Sequence, residues 1–219
     1  MDKWKDNDIF IINNLVEEDA AHKNVKEVSR AYNLPEAEVS ITQGKFLYLL
    51  ARIKNAKRIL ELGTLCGYST IWLAKAVPDD GVVMTIEHME NNARLARENM
   101  ALAGLSDKVK VICDNAEKVL RGLIAANEEP FDMIFIDADK PSFPLYLELS
   151  LQLSKQGTVI YGDNVVRDGE LCNNDSTDGR VLGVRKFIEN MGRLENLEST
   201  ALQTVGVKGY DGFTLSVVK

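Results

Sequence analysis

Oxygen-bearing side chains follow two apolar runs of this sequence, at the points where each run would end as a strand. Asp137 follows the run DMIFI, and Asp163 with Asn164 follows TVIYG. Because the carboxyl ends of neighbouring parallel strands meet at one edge of a sheet, these three side chains are expected to lie together. Carboxylate and amide oxygens suit Mg²⁺, Mn²⁺ or Ca²⁺ rather than zinc. Each residue alone is as typical of a turn or a helix cap, so the predicted divalent-metal site depends on their combination.

Lys140 lies three residues beyond Asp137 and would share that edge of the sheet. An ammonium group there would neutralise the nearby carboxylates, whereas a neutral amine could accept a proton from a reacting group. The sequence leaves both interpretations open, a surface charge or a catalytic base.

The segment RILELGTLCGYST, residues 58–70, is typical of a strand, a tight turn and the start of a helix. Gly63 and Gly67 allow the turn to bend and backbone N–H groups to approach a ligand. Their spacing matches neither a dinucleotide motif nor a P-loop, so a ligand other than a pyrophosphate is expected, with a simple chain-closing turn as the alternative. Glu87 ends the next apolar run, and its carboxylate suits the hydroxyls of a ribose; a solvated strand end is the alternative.

From residue 58 onward, apolar runs alternate with helical patterns, which predicts a parallel sheet covered by helices on both faces. The predicted strands are Arg58–Leu62, Val82–Glu87, Val109–Cys113, Asp132–Asp137, Thr158–Tyr161, Thr200–Val205 and Phe213–Val218. The predicted helices are Tyr68–Val77, Asn91–Ala103, Ala116–Ala126, Phe143–Leu153 and Val184–Met191. The connector KGYDG predicts antiparallel pairing of the last two strands. The fold class is therefore a doubly wound, Rossmann-like α/β domain.

Before this alternating region, apolar residues recur with helical spacing, as two helices within Asp6–Leu34 and one at Gln43–Ile53. These helices are more apolar than free surface helices need to be, so they are expected to cover the sheet or to pack against a second subunit. The predicted organisation is one domain over residues 1–219, with helices in 1–55 that cover the ligand sites and form a homodimer contact, and an α/β core in 56–219.

Composition restricts the classes of protein that fit. With 219 residues, 45% of them hydrophobic, the chain suits one globular core. The net charge of −7 argues against a broad surface for nucleic acid or anionic membrane. Cys66, Cys113 and Cys172 contain no CxxC pair, which argues against a disulfide framework or a zinc site and favours the reducing cytoplasm. Neither a signal peptide nor a membrane span is expected, because no apolar run has the required length.

In their order and spacing, the motifs LELGTLCGYST, IEHM, IDADK and GDNV resemble those of the cation-dependent class I S-adenosylmethionine O-methyltransferases of the catechol and caffeoyl-CoA type, especially the small bacterial members. The resemblance covers the chain from about Val39 to its end. It implies a seven-stranded sheet with a reversed last strand. It also implies S-adenosylmethionine as methyl donor, a divalent cation (Mg²⁺ first, Mn²⁺ or Ca²⁺ as alternatives) and methyl transfer to a hydroxyl of a small, catechol-like aromatic vicinal diol.

The resemblance also assigns roles to individual residues. Residues implied at the methionine part of the cofactor are Glu61, Gly63, Thr64 and Ser69. Glu87 would take the ribose hydroxyls, His88 and Ala116 would flank the adenine, and Val39, Asp137 and Asp139 would lie beside the cofactor. Asp137, Asp163 and Asn164 would hold the metal, and Lys140 would be the catalytic base. Cys66 is interpreted as a small packing residue.

One departure from the family pattern affects the substrate. Relatives that act on aromatic diols often carry a tryptophan shortly after the Asp-Asn pair as a wall for the ring, whereas this sequence continues Val165, Val166, Arg167. Arg167 could meet an acidic group of the substrate, with a solvated loop arginine as the alternative. The loop Leu171–Gly179 is expected to border the entrance.

Three other functions stay open at this point. Methylation of a hydroxylated tRNA uridine is disfavoured by the net negative charge of the chain. An NAD-dependent oxidoreductase is disfavoured by the glycine spacing, and a non-catalytic cofactor-binding module by the presence of the metal and lysine motifs. The expected partners are therefore a small phenol and a second copy of the chain, with no membrane.

Overall fold

The alternating segments form a seven-stranded sheet in the computed structural model, which describes residues 3–219. The strands are β1 (Arg58–Leu62), β2 (Val82–Glu87), β3 (Val109–Cys113), β4 (Phe131–Ile136), β5 (Ser154–Asp163), β6 (Leu197–Gly206) and β7 (Gly209–Val218). Their spatial order is β3-β2-β1-β4-β5-β7-β6. β7 runs antiparallel to both β5 and β6, whereas the other neighbouring pairs are parallel. The predicted, mostly parallel sheet with a reversed last strand is confirmed.

Helices cover both faces of this sheet. They are α1 (Lys3–Leu15), α2 (Ala20–Ala31), α3 (Ile41–Lys54), α4 (Tyr68–Ala76), α5 (Glu90–Leu102), α6 (Ala116–Ala125), α7 (Phe143–Gln152) and α8 (Gly179–Met191), with 3₁₀ turns at Lys140–Ser142 and Glu170–Cys172. α8 begins earlier than its apolar pattern predicts, because Asp178 caps it by accepting a hydrogen bond from Arg180 N at 2.8 Å.

The strand β1 shows how the sheet separates two apolar layers. Ile59 packs into the layer formed with residues of α2–α5, and Leu60 and Leu62 pack into the layer formed with residues of α6–α8. All three side chains are fully buried. A strand covered on both faces must be apolar on both, which is why its sequence reads as a continuous run.

β5 is longer than its apolar run predicts. Ser154 pairs with Phe131 across an irregularity between β4 and β5. The Thr158 hydroxyl donates to Phe131 O at 2.6 Å and accepts from Lys155 N at 2.9 Å. Because these polar residues join the sheet through such hydrogen bonds, a hydrophobic pattern cannot identify them as strand.

Helix α1 contributes no buried residue to the fold. Phe10 and Leu15 are 69% and 74% exposed, and Trp4 is also exposed. Within residues 3–219, no helix combines the length and the apolar character that crossing a bilayer would need.

Strand order reverses between β1 and β4, so a crevice opens beyond the carboxyl ends of these strands. Gly63 follows β1 with φ +96°, and a Cβ there would lie 1.9 Å from the carbonyl oxygen of Asp137, which follows β4. A glycine is therefore required where the two chain segments pass each other.

Candidate functional site

Two cavities adjoin at the carboxyl edge of the sheet. The larger, about 610 Å³, lies around the ends of β1, β2 and β4. The smaller, about 290 Å³, lies between α3, the end of β5 and the β6–β7 hairpin. Asn164 lines both cavities, whereas Asp137 lines the larger and Asp163 the smaller. The three predicted metal ligands thus lie along the boundary between them.

Most residues that the family resemblance assigns to the cofactor lie in the wall of the larger cavity. They are Val39, Gly63, Thr64, Ser69, Glu87, His88, Ala116, Asp137 and Asp139, with Lys140 and Asn164 in the same wall. Cys66 also lines this cavity and is buried, and burial raises the pKa of its thiol. The structure therefore brings together residues from six separate parts of the sequence.

The segment after β1 is held by Glu87. The Glu87 carboxylate accepts hydrogen bonds from Leu65 N and from Met89 N, both at 2.9 Å. Leu65 has φ +50°, an uncommon conformation for a leucine. One carboxylate at the end of β2 thus fixes the backbone of the glycine-containing segment as well as facing the cavity.

Glu61 does not lie in the wall of either cavity. It is fully buried beneath the glycine-containing segment, where the hydroxyls of Ser69, Thr70 and Thr85 donate to it at 2.5–2.6 Å. Burial raises the pKa of its carboxyl to about 7, although the three hydroxyls oppose this shift. Glu61 therefore orients Ser69, which does line the larger cavity.

Asp137 and Asp163 form the electrostatic centre of the site. The register of β4 and β5 pairs Ile136 with Gly162. Asp137 and Asp163 each come directly after one of these paired residues, so they occupy neighbouring positions at the ends of adjacent strands. The pKa of the Asp163 carboxyl is raised to about 7, mainly because the group is buried and to a smaller extent because of the negative charge of Asp137. Within residues 3–219, no cluster of three or more His, Cys, Asp or Glu residues is arranged to hold a metal; the set predicted here consists of two carboxylates and an amide.

Lys140 is buried rather than a surface ammonium, with 7% of its surface exposed. Its Nζ donates to Asp137 Oδ1 at 2.9 Å and lies 4.5 Å from the centre of the Phe143 ring. A long cationic side chain held by one carboxylate and an aromatic face is restricted in position, which suits a group that acts on a bound substrate.

Gln43 is a site residue that the sequence did not predict. It projects from α3, and its Nε2 donates to Asp163 Oδ1 at 2.6 Å and to the hydroxyl of Tyr161 at 3.1 Å. Gln43 precedes Phe46, Leu47 and Leu50 at helical spacing, so it is a polar residue on the apolar face of α3, and this is the one signal that could have identified it. The helix thereby holds one oxygen of a predicted metal ligand.

The smaller cavity has an aromatic wall. Phe46 and Phe213 line it, with ring centres 5.4 Å apart, and Phe213 stacks on Tyr161 at 4.7 Å. The residues lining either cavity do not include Arg167 or the loop 171–179. Arg167 instead places Nη1 4.0 Å from Asp211 Oδ2.

The N-terminal helices cover both cavities. Val25, Lys26 and Ser29 of α2 line the larger one, and Asp8 of α1 lines the smaller one. The hydroxyl of Tyr68 in α4 donates to Glu18, just before α2, at 2.7 Å. Sequence patterns identified these helices but not which of their residues face the cavities.

The sheet order with a reversed last strand, and a cavity at the switch point lined by a glycine-containing segment and Glu87, define a class I methyltransferase. Residues 13–217 match the family model described as O-methyltransferase. A catechol O-methyltransferase of Niastella koreensis is 45% identical over 203 residues, covering 93% of this chain and 91% of that protein. A catechol O-methyltransferase of Mycobacterium tuberculosis is 42% identical over 214 residues, covering 98% and 96%.

A solved structure of an O-methyltransferase matches nearly the whole chain. The crystal structure of the O-methyltransferase from Bacillus cereus in complex with SAH has a TM-score of 0.97 and 49% identity, and the match covers 99% of each chain. The chain belongs to the O-methyltransferase family and is an S-adenosylmethionine-dependent enzyme. Membership in this enzyme family excludes two of the alternatives, an NAD-dependent oxidoreductase and a non-catalytic cofactor-binding module.

Proposed function

We propose that this enzyme transfers the methyl group of S-adenosylmethionine to one hydroxyl of a small aromatic vicinal diol, and that the transfer requires a divalent cation. The observation that carries the proposal is the position of Asp137, Asp163 and Asn164 on the boundary of two adjoining cavities. Such an arrangement separates a site for the donor from a site for the acceptor. Two relatives named catechol O-methyltransferase support the acceptor class.

The larger cavity is assigned to the methyl donor. Ser69, oriented by Glu61, and the backbone around Gly63 would meet the methionine part, and Glu87 would accept hydrogen bonds from the ribose hydroxyls. His88 and Ala116 would flank the adenine. Asp139, whose Oδ1 accepts a hydrogen bond from the Tyr146 hydroxyl at 2.5 Å, would lie beside the cofactor together with Val39.

The donor set fits a divalent cation. Two carboxylates lie on adjacent strands, and the pKa of the buried Asp163 is raised to about 7 although the Lys140 ammonium is 2.9 Å from Asp137, so a further positive charge at this position would be favourable. Asp137, Asp163 and Asn164 would hold Mg²⁺, or Mn²⁺ or Ca²⁺, because these ions prefer oxygen ligands. A cation there would supply positive charge beside the acceptor hydroxyls and so favour their ionised form.

Lys140 would act as the base. In its neutral form, Nζ accepts the proton of the acceptor hydroxyl, and the resulting oxyanion attacks the methyl carbon. The C–S bond breaks as the new C–O bond forms, the sulfonium becomes the neutral thioether of S-adenosylhomocysteine, and no covalent enzyme intermediate is needed. Holding donor and acceptor aligned in adjoining cavities can contribute up to about 7–11 kcal/mol to lowering the barrier.

The smaller cavity is assigned to the acceptor. Its volume of about 290 Å³ suits a single aromatic ring with a short substituent. Phe46 and Phe213 would provide the aromatic wall that a tryptophan after the Asp-Asn pair provides in other members. Arg167 is assigned no direct contact with the substrate, because it lies outside the lining of this cavity.

The direct test is methyl transfer from labelled S-adenosylmethionine to catechols, with the corresponding monophenols as matched controls. We expect methylation of the vicinal diols only, its loss in EDTA, and its return when Mg²⁺ or Mn²⁺ is added in excess. Transfer that is insensitive to chelation would contradict the metal assignment. Strong, salt-sensitive binding of tRNA in a filter assay, without methylation of any catechol, would favour the tRNA substrate instead.

We also propose that the enzyme is a homodimer that covers the exposed apolar residues of α1 and α3. Phe10 and Leu15 of α1 and Ile53 of α3 are each at least 69% exposed. Exposed apolar patches of this kind mark contact surfaces. Sedimentation velocity across a dilution series is expected to give a dimer of the 219-residue chain, and Phe10→Asp should shift it to a monomer. A monomeric wild-type protein at all concentrations would contradict the proposal.

A further inference from the structure

The backbone that follows the predicted metal ligands is held in an uncommon conformation. Asn164 has φ +54°, and Arg167 and Asp168 both have φ +55°. None of these residues is a glycine, so each of these conformations costs free energy and persists only where the surroundings impose it. The structure must therefore contain groups that hold this segment.

Asp211 of β7 is the group that holds it. Its Oδ1 accepts hydrogen bonds from three backbone N–H groups, those of Val166 at 2.9 Å, Arg167 at 3.0 Å and Gly212 at 2.9 Å. One carboxylate oxygen thus fixes two consecutive residues of the segment to the hairpin strand. Charged acceptors form stronger hydrogen bonds to N–H groups than neutral ones do.

Packing around Asp211 leaves little room for another arrangement. Val165 N donates to Gly212 O at 3.0 Å, and the side chains of Val165 and Val166 are buried. A Cβ on Gly212 would lie 2.5 Å from Leu202 O and 2.6 Å from a methyl group of Val166. The segment and the hairpin are therefore in close contact from Val165 to Arg167.

We propose that Asp211 is a positioning residue for Asn164 and thereby sets the affinity of the site for its divalent cation. This inference rests on the proposed function, since it requires that Asn164 be a metal ligand. Asn164 directly precedes the segment that Asp211 fixes, so its φ, and with it the direction of its amide oxygen, depends on those hydrogen bonds. Asp211 also lines the smaller cavity, which is assigned to the acceptor, but the role proposed here acts through Asn164.

The test compares Mn²⁺ and S-adenosylhomocysteine affinities of folded variants. Asp211→Ala removes the acceptor oxygen, whereas Asp211→Asn keeps an oxygen in the same place. We expect the Mn²⁺ Kd, measured by electron paramagnetic resonance of the free ion, to rise about 10- to 100-fold in Asp211→Ala and to stay within about threefold in Asp211→Asn. The Kd for S-adenosylhomocysteine, measured by calorimetry, should change in neither variant. A general structural defect would weaken the binding of both Mn²⁺ and S-adenosylhomocysteine.

Matched controls separate the inference from the proposed function. Asp175→Ala removes an exposed carboxylate from the same connection and should leave both affinities unchanged. Asp163→Ala should abolish Mn²⁺ binding; if wild-type protein binds no Mn²⁺, the metal site itself is wrong. If the wild type binds Mn²⁺ and Asp211→Ala binds it equally well, or loses both ligands together, the role of Asp211 is overturned. Should Asp211→Ala fail to fold, Asp211→Glu, which displaces the acceptor oxygen by one methylene, is expected to weaken Mn²⁺ binding, and unchanged binding would overturn the inference.

Discussion

Replacing Lys140 by methionine is expected to lower kcat by about 10²- to 10⁴-fold, the range for loss of a general base, with little change in the affinity for S-adenosylmethionine. Methionine keeps most of the volume of the buried stem against Phe143 but cannot accept a proton. Single-turnover methyl transfer measures the chemical step, and calorimetry measures cofactor binding. Lys57→Met, which removes an exposed lysine paired with Asp80, is the matched control and should retain activity.

A second variant separates the two roles that the sequence left open for Lys140. Lys140→Arg keeps a positive charge next to Asp137, but a guanidinium group stays protonated and cannot serve as a base. If Lys140 is the base, the arginine variant should be as inactive as the methionine variant. Activity that survives in Lys140→Arg would reduce Lys140 to a charge partner of Asp137, and loss of cofactor binding in both variants would make its role structural.

Replacing Gly63 by alanine is expected to destabilise the protein by about 2–6 kcal/mol, the sum of left-handed backbone strain and overpacking, and to abolish cofactor binding. The added Cβ would lie 1.9 Å from Asp137 O, so either the glycine-containing segment or the end of β4 must move. Urea denaturation gives the free energy of unfolding, and titration with S-adenosylhomocysteine gives the affinity.

Gly209 provides the control for backbone strain alone. Its φ of +97° nearly equals the +96° of Gly63, but a Cβ there would have no neighbour within 4 Å. Gly209→Ala should therefore cost only about 1–3 kcal/mol and leave cofactor binding intact. Equal losses of stability in the two variants would show that the close contact with Asp137 is unimportant.

The carboxyl edge of the sheet could be predicted because β1, β2 and β4 are continuous apolar runs whose ends are easy to locate. Asp137, Asp163 and Asn164 follow such runs, and parallel pairing then places them together. The contact of Glu61 with the cofactor that the family resemblance implies stays a prediction, and nothing in the sequence marks Glu61 as buried. In β1, however, side chains alternate between faces, and Glu61 shares the buried face of Ile59.

The roles of Gln43 and Asp211 could not be predicted, because they depend on contacts between distant parts of the chain. Gln43 meets Asp163 across 120 positions of sequence, and Asp211 meets Val166 across 45. In the sequence, Asp211 is part of a polar turn-rich connector, KGYDG, which is also typical of a hairpin with no further role. Three-dimensional placement, rather than residue type, identifies both.

The place of β7 in the sheet has a consequence for the order of folding. β7 follows every other strand in the sequence, yet it lies between β5 and β6 and pairs Phe213 with Asp163. Until residues 209–218 have docked, β5 exposes an unpaired edge and Asp211 cannot hold the segment after Asn164. We therefore expect the proposed metal site to form late, after the long-range pairing of β5 with β7, because non-local strand pairing is slow. While β7 is still untranslated, a ribosome-bound chain is expected to form β1–β4 and the larger cavity but not yet the proposed metal site.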